Sequence, residues 1–135
     1  MSIRYIRTVD AAAKKAAALC GPYLHAMEGC GWFDGGCYTF AVALHAVIGG
    51  EVCHVSRVND VPDHAVVKLP GYDLYVDADG VKSRAELLDF MRSVERCAVT
   101  DIFAFPDIAD YPLADLLPTL QRELRDLLNM CKAVA

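Results

Sequence analysis

From position 37 to position 48 almost every residue is apolar, and Gly49-Gly50 closes the run. A helix apolar on nearly all sides belongs in the middle of a fold, and paired glycines supply a C-terminal stop. This block is therefore expected to be a buried central helix. Upstream, Asp10 is positioned to cap an alanine-rich helix over 11–20, which Gly21-Pro22 interrupts. A second helical piece follows over 23–28, and Gly29-Cys30-Gly31 breaks it. Residues 2–9 fit a short strand or a helical lead-in equally well. Downstream, the stretches 51–58, 64–69 and 72–78 concentrate β-branched and aromatic residues and predict antiparallel strands. Ser83 with Glu86 makes a capping box for a helix over 84–95, and 99–105 predicts a fourth strand. Prolines at 106, 112 and 118 punctuate the chain, the last at a helix start or kink. A terminal helix then presents Leu120, Leu124, Leu127, Leu128 and Cys131 on one face and closes the core. The expected architecture is α+β: a central helix carrying Cys37, packed on a small antiparallel sheet with flanking helices. With no internal repeat, linker or low-complexity stretch, residues 1–135 are expected to form a single domain.

A chain of 135 residues can bury roughly two-thirds of the surface its unfolded form exposes, so it needs no covalent or metal staple. The six cysteines, at 20, 30, 37, 53, 97 and 131, lack the close pairs of a disulfide scaffold and are expected to be mostly reduced and buried. Eighteen acidic against thirteen basic residues, a formal charge of −5, argue against a nucleic-acid-binding surface, which needs concentrated positive charge. Segment 59–63 is itself acidic. The N-terminus lacks the apolar core of a signal peptide, and no later run reaches the eighteen or so apolar residues of a membrane span. A cytoplasmic protein with neither nucleic acid nor membrane as partner is expected; oligomeric state stays open.

Against this background Cys37 is the candidate nucleophile. Asp34 is expected to cap the central helix and so place Cys37 about three positions inside it. There, free N–H groups and the helix dipole favour a thiolate, the form that attacks carbonyls. Gly35 and Gly36 are expected to admit a substrate backbone, and the N–H of Cys37 to serve as an oxyanion donor. Trp32, Phe33 and Tyr38 complete the candidate substrate-binding set, with Trp32 or Tyr38 as a further oxyanion donor and with the 32–33 and 59–63 loops as lips of a cleft. Cys37 should then be partly exposed, whereas Cys20, Cys53, Cys97 and Cys131 should be buried.

A thiolate nucleophile needs a base held by a third polar group. His45 lies eight residues along the same helix, about 12 Å of rise from Cys37, and cannot reach it. His25 has no acceptor nearby in sequence, and His54 falls mid-strand. His64 opens a strand that meets the next one across Pro70-Gly71. A two-residue loop would pair Leu69 with Tyr72, Lys68 with Asp73, Val66 with Tyr75 and His64 with Asp77, whose Cβ atoms would lie about 5 Å apart. A four-residue loop would place Asp79 opposite His64 instead; Asp77 is the favoured partner.

The order Gly35-Gly36-Cys37 on a helix, Gly49-Gly50-Glu51-Val52 at a strand start, then His64-Ala65-Val66-Val67 and Tyr75-Val76-Asp77 resembles the compact core of transglutaminase-like proteins in the papain-like superfamily. That resemblance covers about residues 34–80. It implies Cys37 as nucleophile, His64 as base and Asp77 as orienter, in a peptidase, amidase, deamidase or acyltransferase working without a cofactor on a peptide, protein or small amide or thioester. The chain departs from the family pattern in a short Cys-to-His interval, no tryptophan after the histidine and no glutamine before Cys37; Gln121 is the only glutamine. The alternative is a non-catalytic interaction module on the same fold, with Trp32, Phe33 and Tyr38 as its contact patch. Zinc held by Cys30, Cys37, His54 or His64 is disfavoured: close ligand pairs are absent, and adjacent strand residues such as Cys53 and His54 point to opposite faces.

Overall fold

The computed structural model describes residues 3–57, 62–95 and 99–134. Through them the chain runs α1 (Ile3–Glu28), α2 (Cys37–Ile48), β1 (Glu51–Arg57), β2 (Pro62–Lys68), β3 (Leu74–Asp77), β4 (Gly80–Ser83), α3 (Arg84–Glu95), β5 (Val99–Ala104) and α4 (Leu117–Val134). All strand pairings are antiparallel, in the order β4-β3-β2-β1-β5. The fold is α+β. Alternation along β2 sends Ala65 and Val67 into a core shared with α1, α2 and α4, while Val66 joins Cys53, Val55, Tyr75 and Ile102 against Leu87 and Met91 of α3.

α2 covers the apolar run as expected, and Gly49, with φ of 75°, ends it by donating its N–H to the His45 carbonyl. Phe40, Ala41, Ala43 and Leu44 are buried, but His45 and Ala46 face outward, so the helix is not enclosed on every side. The capping box of α3 is present: the Glu86 N–H donates to Ser83 Oγ at 3.2 Å, and the Ser83 N–H to Glu86 Oε1 at 3.0 Å. In α4, Leu120, Leu124 and Leu128 are buried on one face.

Three expectations are corrected. Gly21-Pro22 does not divide α1, which is one helix. Its buried stripe of Val9, Ala12, Ala13, Ala16, Ala17, Cys20 and Leu24 continues across the proline, and that burial outweighs the roughly 3 kcal/mol an interior proline costs. Asp10 therefore lies inside the helix rather than capping it. Its Oδ1 accepts the Val81 N–H at 2.8 Å and its Oδ2 pairs with Lys14 at 3.1 Å, which ties α1 to the sheet edge. That edge, β4, is not among the strands expected from sequence, where Asp79-Gly80 served only as a turn; Gly80, at φ of 97°, closes a hairpin back onto β3. Finally, the loop between β2 and β3 has four residues, since Lys68 pairs with Tyr75 and the Leu69 N–H donates to the Leu74 carbonyl at 2.9 Å. Pro70-Gly71 makes its own turn, with Gly71 at φ of 79° and the Tyr72 N–H donating to the Leu69 carbonyl at 3.2 Å. Such a type II turn does not match strand twist and cannot by itself join the two strands.

Candidate active site

His64 near the start of β2, Asp77 at the end of β3 and Cys37 at the start of α2 meet at one end of the sheet. Extended past β3, the observed register would set His64 across from Asp79. Asp77, two residues back on the same strand face, reaches the ring diagonally. His64 Nε2 and Asp77 Oδ2 are 2.9 Å apart, with exposures of 2% and 3%. Asp79 serves the site differently. Its N–H donates to Asp77 Oδ1 at 2.8 Å, and its carboxylate pairs with Lys82 Nζ at 2.9 Å. Lys82 Nζ also stands 3.3 Å from Asp77 Oδ1. Asp77 rather than Asp79 is thus the partner of His64, although the register that favoured it is not the one observed.

Cys37 lies close enough to the His64 ring to raise the pKa of the histidine, and with Nε2 on Asp77 the ring's Nδ1 is not engaged by that carboxylate. The cysteine is the first helical residue, not the third, because Gly36 is the N-cap. Asp34 turns back to accept the Gly31 N–H, and the N-cap Gly36 has no side chain with which to cap α2. The positive end of the helix dipole therefore lies beside Cys37, the first residue of the helix. Burial alone would lower the His64 pKa. The hydrogen bonds and charges of Asp77 and Cys37 prevail and raise it to about 9. Asp77 is held below its ordinary value: burial opposes this, but the hydrogen bond and charge of His64, the Lys82 cation and the Asp79 N–H outweigh it.

The expected exposure of Cys37 is overturned: it is 4% exposed, as buried as Cys20 and Cys53, and half-buried Cys30 is the more accessible thiol. Cys97, the Cys131 side chain and most of the acidic 59–63 segment lie outside the described residues. Phe33 is what closes the site from one side. Its ring stacks on His64, with centroids 5.0 Å apart and 25° between planes, and meets Phe90 of α3 edge-on at 5.4 Å.

The neighbours of Phe33 do not form the expected cleft. Trp32 donates its indole N–H to the Ala17 carbonyl at 2.9 Å and packs edge-on against Phe40 at 5.2 Å, so that N–H is not available to an oxyanion. Tyr38 stacks on Tyr111 at 5.0 Å and also meets Phe105; burial first, then the charges of Cys37, Tyr111 and Asp63, push its phenol up. Gly35 holds φ of 137°. At Gly36 a Cβ would fall 2.5 Å from Leu24 Cδ2 and 2.8 Å from the Gly31 carbonyl oxygen. Its lack of a side chain thus serves close packing rather than substrate entry. Gly36→Ala should destabilise the fold by about 1–3 kcal/mol, the usual cost of overpacking; an unchanged urea midpoint would contradict this.

The remaining histidines stand elsewhere. His25 and His45 are exposed, the latter with Nδ1 3.2 Å from the Gly49 carbonyl oxygen. His54 lies beside the Ser56 hydroxyl, against Phe103 and Phe105. Among the described residues, no group of three His, Cys, Asp or Glu side chains is arranged to hold a metal. Sequence reasoning missed Lys82 and Phe90. The available signal was Val81-Lys82-Ser83 after Asp79-Gly80, a short strand following a hairpin turn. Comparison with protein-family models, curated proteins and solved structures finds no match for this chain.

Proposed function

We propose that the protein is a thiol-dependent hydrolase or acyltransferase of the transglutaminase-like, papain-like kind, acting on an amide or thioester. Cys37 sulfur adds to the carbonyl carbon, and the His64 imidazolium gives its proton to the departing amine or thiol. Water or an incoming amine then loses a proton to His64, attacks the thioester and returns Cys37 to its starting form. Asp77 holds the ring and supports its charged form. The first-turn N–H groups of α2, that of Cys37 among them, are the oxyanion donors this mechanism uses. One observation carries the proposal: an enclosed histidine with a carboxylate at one ring nitrogen and a buried cysteine near enough to raise its pKa.

The burial of Cys37 favours a second reading, an interaction module whose polar trio only stabilises the fold. An acyl donor separates the two. Incubation with S-phenyl thioacetate should add one acetyl group to Cys37, visible in the intact mass and located by peptide mapping, and Cys37→Ser should lose it. Acetylation confined to Cys30, or equal in wild type and Cys37→Ser, would refute the enzyme reading. As to partners, no helix among the described residues is long and apolar enough to cross a membrane.

A further inference from the structure

Phe33 lies directly against the imidazole of the candidate site. Its ring covers His64 on one side and leans on Phe90 on the other. Phe90 in turn carries the Lys82 ammonium 4.7 Å from its ring centroid, and Lys82 pairs with Asp77. The contacts thus close a loop, from Phe33 to His64 and Asp77 and back through Lys82 and Phe90. Meanwhile Cys37, His64 and Asp77 are each at most 4% exposed, so no carbonyl can reach sulfur in this arrangement.

The chain on either side of Phe33 is anchored. Trp32 is tied to the Ala17 carbonyl and packed on Phe40. Gly36 is wedged against Leu24 and the Gly31 carbonyl. Between these posts lie Phe33, which is half-buried, and exposed Asp34 and Gly35, the last in a backbone conformation that side chains rarely adopt. An outward swing of this one half-buried ring would uncover the imidazole face while leaving the contacts of both posts in place.

We infer that Phe33 is a lid: the structure is the closed state, and substrate gains access to Cys37 when the Phe33 ring leaves His64 and Phe90. This rests on the reading of Cys37 and His64 as the reactive pair, but its readout is access to the thiol rather than turnover. Closure keeps water and stray electrophiles from the thiol between encounters. A substrate with a flat apolar group beside its carbonyl can replace the ring contacts the lid gives up.

The test is the rate of Cys37 alkylation by iodoacetamide at pH 7, resolved by peptide mass, in wild type and Phe33→Ala. Aromatic pair energies translate into a rise of about tenfold at Cys37, with buried Cys20 and Cys53 as internal references that should not change. A bulky maleimide should gain more than iodoacetamide. No change at Cys37 would overturn the lid, and so would a parallel rise at Cys20 and Cys53, which would make Phe33 an ordinary packing residue. If Phe33→Ala speeds alkylation at Cys37 alone while neither protein accepts an acetyl group, the lid stands and the enzyme reading falls. If wild type is acetylated at Cys37 while alkylation is unchanged in Phe33→Ala, the enzyme reading stands and the lid falls.

Discussion

Between pH 5.5 and pH 9.5 the protein should lose about 3 kcal/mol of stability to His64 alone. Its pKa is raised from an ordinary 6.5 to about 9 in the fold, so the folded state holds the proton more tightly than the unfolded chain. That contribution is fully present below pH 6.5 and disappears as pH climbs through 9; a shift of this size corresponds to about 3 kcal/mol. Asp77 works in the opposite direction: with its folded pKa lowered, its contribution is present above the ordinary carboxylate range and is lost as pH falls through the folded value. Stability should therefore form a plateau between the two. Urea unfolding at pH 5.5, 7.5 and 9.5 measures this, with His64→Gln as reference. The reference is needed because Cys53, pushed by burial to about 11, and Tyr75, pushed by burial to about 12, also weaken the fold at alkaline pH in both proteins. Parallel curves for wild type and His64→Gln would remove His64 from the account.

The second large effect concerns chemistry. In His64→Gln, transfer of an acetyl group to Cys37 at pH 7 should slow by at least about a hundredfold, the lower range for losing a positioned general acid–base. In wild type the rate should also change near pH 9, where His64 gives up its proton, and this step should be absent from the variant. Asp77→Asn should cost less, because the carboxylate acts through the ring, yet it should lower the pH of that step by removing a negative charge from beside the imidazolium. Rates followed by intact mass from pH 6 to 10 in the three proteins test these statements together. Identical profiles would show that His64 does not act on Cys37. Neither variant should be neutral for folding: with both side chains almost fully enclosed, a neutral amide in place of one partner leaves the other's charge buried without its counter-charge.

Elements set by neighbouring residues were legible in the sequence. The apolar run with its glycine stop defined α2 to the residue, the Ser83–Glu86 box defined the start of α3, and the β-branched clusters located β1, β2 and β3 within a few positions. The members of the candidate site were legible as neighbours: Cys37, His64 and Asp77 stand out by residue chemistry and rough spacing, and the fold brings them close together, their catalytic roles being proposed. These features depend on local caps, local breakers and side-chain alternation, all of which act over a few residues.

Only tertiary structure decided the rest, because contacts distant in sequence outweigh local preference. Burial of one long stripe carried α1 through Gly21-Pro22, and Asp10, a plausible cap by its neighbours, was drawn to the Val81 N–H of a strand seventy-one residues away. The Pro70-Gly71 turn shifted the hairpin by two residues, an even step, so His64 and Asp77 kept the same face while their pairing became diagonal. A two-residue slip preserves alternation where a one-residue slip would have destroyed the site. The enclosure of Cys37, the Phe33 ring over His64 and the Lys82 cation behind Asp77 all join segments that have no sequence relation to one another. Local chemistry could nominate those groups, but only the packing of α2, β2, β3 and α3 could place them.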